Sequence, residues 1–301
     1  MVRGHERPPA REHVSWFALS LAAAATQAAQ FAVIKGRARD IPPVVIVAWT
    51  NAVAFTAWVA FFLVSGHPFA APRSAWPAIA GCAGLVTGMS SLLARASARG
   101  DIGVVGPMLA LSPVFTVLPD AVLSGTLPSP LGWLGLGLSV IGTTSLSGGA
   151  SFAGRLRTLL RRRDALDALG AAFLLGFLGA VDRWGALALG PPSYLMCTHG
   201  ATTVLTTTIA LCTAPRGLAA SAKPGNLVTV VSHGLLGVTG TGMQTTALTM
   251  APAAYVSAIR RMSAVLAVLL GRALFREPDL GRRLVAAFLG CAGAACLLLA
   301  R

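Results

Sequence analysis

Two adjacent arginines, Arg260 and Arg261, stand about eight residues into an apolar run spanning 252–274. On a helix rising 1.5 Å per residue that is a depth of roughly 12 Å. A charged side chain at the centre of a membrane helix costs about 2.5–3.5 kcal/mol on insertion scales, so two neighbours must face water, an anion or a carboxylate rather than lipid. The two point about 100° apart and cannot serve one face equally. One of them, with Tyr255 little more than a turn away, has the chemistry to hold a carboxylate or phosphate. The other reading keeps both as structural groups paired with carbonyls or with an acid from another helix.

Asp120 and Asp182 are the acids inside apolar runs. A carboxylate in a low-dielectric cavity can trade its charge for a proton near physiological pH, which makes either a candidate coupling residue, Asp120 foremost. Asp182 sits beside Arg183 and reads as half of a helix-end charge pair at the membrane surface. Gln27 and Gln30 share a helix face with Thr26 beside them, and Gln244 follows Thr239 and Thr241 in a glycine-rich segment. Such side chains serve either a solute pathway or helix packing. Pro107, Pro113 and Pro119 recur every six residues, each removing an amide donor and freeing a carbonyl, so they are expected to kink a helix that lines a cavity. His199 and His233 have no partner at i+4 and no HExxH around them, which reads as buried, satisfied histidines rather than metal ligands. No metal or cofactor is expected.

The elements that carry these residues follow from composition. The chain has 301 residues, 55% apolar and 11% charged, with a mean hydropathy of +0.71. Soluble domains carry about 25% charged residues, so the apolar excess must face lipid. The net charge of +14 is scattered between apolar runs, which argues against nucleic acid as a partner. Five cysteines, all in apolar stretches without a CxxC pair, read as small buried residues. Apolar runs at 14–34, 43–64, 75–95, 102–124, 129–147, 168–189, 192–213, 227–249, 252–274 and 282–300 predict ten membrane helices. The first run is too long for the apolar core of a signal peptide and is taken as helix 1.

A basic stretch over 148–167 divides the chain into 14–147 and 168–301, after a polar tail over 1–13. Sliding the second half back by 151 residues brings Ser112 onto Ser263, Val117 onto Val268, Leu138 onto Leu289 and Gly142 onto Gly293. Five helices per half is an odd number, so two similar halves must lie in opposite orientations across the bilayer, an architecture of secondary transporters.

The stretches "SAIRRMSAVLAVLLGRALFREPDLGRRLVAAFLGCAGAACLLL" (Ser257 to Leu299) and "GVVGPMLALSPVFTVL" (Gly103 to Leu118) resemble the last two helices and the fourth helix of the EamA-like transporters of the drug/metabolite transporter superfamily. The segments "AVDRWGALALGPPSYL" and "FAVIKGRARDIPP" resemble two of that family's helix-end segments. The resemblance implies an all-α membrane protein of ten helices in two inverted five-helix repeats, with a cavity lined mainly by helices 1, 3, 4, 6, 8 and 9. It further implies carriage of a small metabolite. One departure is visible: where Glu277 follows helix 9, the repeat equivalent after helix 4 is Thr126.

The expectation is therefore a multi-pass protein of the plasma or inner membrane, acting as monomer or homodimer. It would move an amino acid or related solute, in the efflux direction, by alternating access, with protons as a candidate coupling ion. Neither GxSxG nor HExxH nor a P-loop is present. The rival classes are an intramembrane enzyme and a translocase of lipid-linked substrates. Basic residues number five on the side of the termini and sixteen on the other, which by charge alone places the termini outside the cytoplasm, against the usual arrangement of the family.

Overall fold

The computed structural model describes residues 10–37, 41–69, 71–99, 109, 111–125, 127–145 and 163–275, with a discontinuous set between 285 and 300. Every regular element among them is helical: α1 (Ala10–Arg37), α2 (Pro43–Ser65), α3 (Trp76–Arg99), α4 (Ser112–Ser124), α5 (Pro130–Ser145), α6 (Arg163–Leu189), α7 (Pro191–Thr213), α8 (Pro224–Met250) and α9 (Ala253–Phe275). A 3-10 turn precedes α3, and a seven-residue helix, Pro215–Ser221, joins α7 to α8. Helical residues between 285 and 300 lie where a tenth helix is predicted.

Proline and glycine set the boundaries. Helices α2, α4, α7 and α8 each carry Pro at the first or second position, where no intrahelical donor is lost. Gly66 and Gly125 close α2 and α4 in the left-handed conformation, at φ 62° and 71°. Along the helices Thr87, Thr116, Thr198 and Thr206 return their hydroxyls to carbonyls one turn back, so polar side chains are satisfied inside apolar surroundings.

Four helical stretches, Pro43–Ser65, Arg73–Leu93, Ala165–Leu189 and Pro191–Thr213, are long and apolar enough to cross a membrane. Helices α1, α8 and α9 run to 28, 27 and 23 residues, longer than a hydrocarbon core needs, but hold the glutamines, a histidine and the arginines that lower their mean hydropathy. Their outer neighbours keep apolar side chains exposed, among them Leu118, Val122 and Val204. That is the arrangement expected where the solvent is lipid.

The boundaries differ from the sequence expectation in several places; helix α1 begins at Ala10, inside the expected polar tail, and runs to Arg37. Helix α6 begins at Arg163 rather than 168, so the end of the expected basic loop is helix. Helix α4 begins at Ser112, with Leu111 as its cap, so Pro113 occupies its second position; Leu109, three residues earlier, is helical as well, and Pro119 lies inside α4. Pro107 lies outside the described residues. The helix Pro215–Ser221 was not expected.

Helix α3 packs on α6 and α7, α1 on α8 and α9, α2 on α7 and α8, and α4 on α6 and α9. Close approach depends on glycine at Gly176 of α6, where a Cβ would meet the Phe115 side chain at 2.6 Å and the Ser112 carbonyl at 3.0 Å. The largest core joins Trp16, Val117, Leu136, Leu248, Tyr255, Ile259 and Leu297. Smaller clusters surround Ile41, Val45 and Val230, and Ala96 and Ala168.

Candidate functional site

Seven helices, α1, α2, α3, α6, α7, α8 and α9, surround a cavity of 330 Å³. Helices α2 and α7 belong to its wall, which the family resemblance did not imply, and from the expected fourth helix only Leu109 reaches it among the described residues. Helix α4 stays out because its described part packs on α6 and α9 instead. The wall is mostly aliphatic, with polar groups from each side: Gln27 and Gln30, Thr50 and Asn51, Asp182, His199, His233, Thr241, Gln244, and both Arg260 and Arg261.

Arg260 donates from Nε to the Gln27 amide oxygen at 3.1 Å, and Ser263 donates to the same oxygen at 3.2 Å. Gln27 thereby holds one guanidinium at the α1–α9 seam. The Nε of Arg261 is buried without a hydrogen-bond partner, and so is the Oε1 of Gln244. Both residues line the cavity, and buried polar atoms are paired in the great majority of cases.

Asp182 accepts a hydrogen bond from the Tyr194 hydroxyl at 2.8 Å and lies against the Cys82 thiol. It is close enough to Arg260 to interact electrostatically, yet the two form no ion pair, each being held by its own partner. The reading of Asp182 with Arg183 as a surface pair is corrected here. Asp182 stands seven residues before the end of α6 at Leu189, roughly 10 Å in. Arg183, turned about 100° away, instead reaches Asp120 of α4 at 3.0 Å.

The histidines are satisfied and also line the cavity. Asn51 donates to the Val47 carbonyl at 2.8 Å, leaving its Oδ1 to accept from His199 Nδ1 at 2.9 Å. Thr50 donates to the Ile46 carbonyl at 2.7 Å, so its oxygen accepts from His233 Nδ1 at 2.9 Å. Gln30 donates to the His233 carbonyl at 3.0 Å. Consecutive residues of α2 thus orient one ring from α7 and one from α8. No group of three or more His, Cys, Asp and Glu residues suited to a metal occurs among the described residues.

Gln27, Gln30, Gln244, Arg260 and Arg261 are thus brought together, while Asp120 and Tyr255 are not with them. Those two share a separate void of 30 Å³ with Val117, Leu127, Pro128, Pro252 and Ala254. Tyr255 is five residues from Arg260, about 140° around the helix, and its hydroxyl fills the space left by the missing side chain of Gly132. Asp182, His199, His233, Thr50 and Asn51 were not singled out as pathway residues. For Asp182 the signal was available in the sequence, since it lies seven residues inside the expected end of the run at 189.

Residues 14–148 match the family model described as "EamA-like transporter family". No curated protein matches the sequence. A solved structure described only as "Crystal structure of protein" superposes with a TM-score of 0.76 at 20% identity, covering 96% of this chain and 98% of that chain. At that identity the likeness speaks for the fold. Over residues 14–148 the chain is thus a match to the EamA-like transporter family, a family of membrane transporters, and this is consistent with the drug/metabolite transporter superfamily.

Proposed function

We propose that this protein is a secondary carrier that moves an amino acid or a related zwitterion out of the cell, across the plasma or inner membrane, by alternating access. The observation that carries the reading is the pair of opposite charges, Asp182 and Arg260, that face one cavity without pairing with each other, beside the unmatched Nε of Arg261. In a low-dielectric site the two would collapse into an ion pair unless held apart; Tyr194 and Gln27 hold them apart. A zwitterion fits between them, its carboxylate on Arg261 or Arg260 and its ammonium on Asp182, with its apolar part against Leu175, Leu178 and Leu195.

The duplicated plan is supported by the packing. If helix n of one half corresponds to n+5 of the other, the α1–α8 contact becomes α6–α3, α1–α9 becomes α6–α4, and α2–α8 becomes α7–α3. All of these contacts are made. The family match, ending at 148, stops where the first half is expected to end.

The reading is tested by thermal stabilisation of the purified protein in detergent. Zwitterionic amino acids are expected to raise the Tm, whereas the corresponding amines without carboxylate and acids without ammonium are expected to raise it much less. Equal stabilisation by the acid alone would remove Asp182 from the site.

A further inference from the structure

Arg183 makes two bonds that the cavity does not use. Its Nη1 donates to Asp120 Oδ1 of α4 at 3.0 Å, and its Nε donates to the Leu248 carbonyl of α8 at 3.2 Å. The second bond has a local cause. In a helix the Leu248 carbonyl would accept from residue 252, which is Pro252 and has no amide hydrogen. Arg183 supplies the missing donor. One guanidinium therefore ties the ends of α4, α6 and α8 together, above the 30 Å³ void that Asp120 shares with Tyr255 and next to the largest apolar core. The side chains of this ion pair are 20% and 6% exposed, so it is well desolvated and costly to break on one side only.

We propose that Arg183 and Asp120 are a latch that keeps this end of the cavity shut and has to part for solute to leave through it, a role that rests on the carrier reading above. The latch is positioned to respond to the cavity. Asp182 and Arg183 are consecutive, so one turn of α6 presents a carboxylate to the solute space and a guanidinium to α4 and α8. A displacement of α6 that follows charge bound at Asp182 acts directly on the Arg183 bonds.

Cys82 gives a reporter, since it is buried and lines the cavity against Asp182. With Cys197, Cys212, Cys291 and Cys296 replaced by alanine, a membrane-impermeant maleimide is applied to sealed vesicles from either face; Leu127→Cys, made in a background that also carries Cys82→Ala, marks the face on which α4 ends. Cys82 is expected to label slowly from that face, and several-fold faster from that face alone in Asp120→Asn and in Arg183→Gln. The charge exchange Asp120→Arg with Arg183→Asp is expected to restore part of the protection, since it returns the ion pair but not the donor to the Leu248 carbonyl. Unchanged labelling in both single variants would overturn the latch, and so would faster labelling from both faces, which would show a loosened fold. The readout needs no solute, so a failed latch and a failed carrier reading are told apart.

Discussion

At the end where α4, α6 and α8 finish, the largest apolar cluster runs through Trp16, Val117, Leu248, Tyr255 and Ile259, a smaller one through Ala78, Ala186 and Tyr194, and the Arg183–Asp120 pair lies beside the first. At the opposite end the described residues form two separate clusters, one around Val45 and Val230 on α2 and α8, the other around Ala96 and Ala168 on α3 and α6. The cavity touches both through Ile46 and through Leu93 and Leu109. The first end is sealed by apolar packing and a polar tie made of few atoms. One guanidinium joins three helix ends there, so its loss acts on all three together.

The contrast predicts different phenotypes for charges only one residue apart. Arg183→Leu removes the ion pair to Asp120 and the donor to the Leu248 carbonyl, and is expected to destabilise the protein by about 3–5 kcal/mol, read as a large fall in Tm in detergent. Asp182→Asn and Arg261→Ala act in the cavity and are expected to leave the Tm close to wild type. Each loses a charge-assisted contact to solute of about 1.5–3 kcal/mol, which weakens apparent affinity about 10- to 100-fold by equilibrium binding. A large fall in Tm for Asp182→Asn would make that carboxylate structural and erase the distinction. The smallest effect belongs to Asn51→Ala, which removes the acceptor that orients His199; a loss of about 0.5–1.5 kcal/mol is expected, visible as a modest rise in KM with little change in maximal rate.

Much of the fold could be read from apolar runs and from the prolines and glycines that end them. The arginines at 260 and 261 were legible because charge inside a long apolar segment has few places to go. The partners were not. Arg183 neighbours Asp182 in sequence and Asp120 in space, because consecutive residues on a helix point about 100° apart and the partner on α4 is set by tertiary packing. Tyr255 failed to join the arginines for a reason of angle, since five residues on a helix turn it away. The tie from Arg183 to Leu248 had a signal in Pro252, whose missing amide leaves a carbonyl free at a known position.

The most direct measurement is counterflow in proteoliposomes: vesicles loaded with an unlabelled zwitterionic amino acid, diluted into a trace of the same compound carrying a radiolabel. The account predicts saturable, transient accumulation of label with wild type, lost in Asp182→Asn and in Arg261→Ala while both proteins insert and melt normally. Accumulation undiminished in both variants would contradict the assignment of the site, and the absence of counterflow for zwitterions with counterflow of another solute class would contradict the charge-separated cavity as its basis.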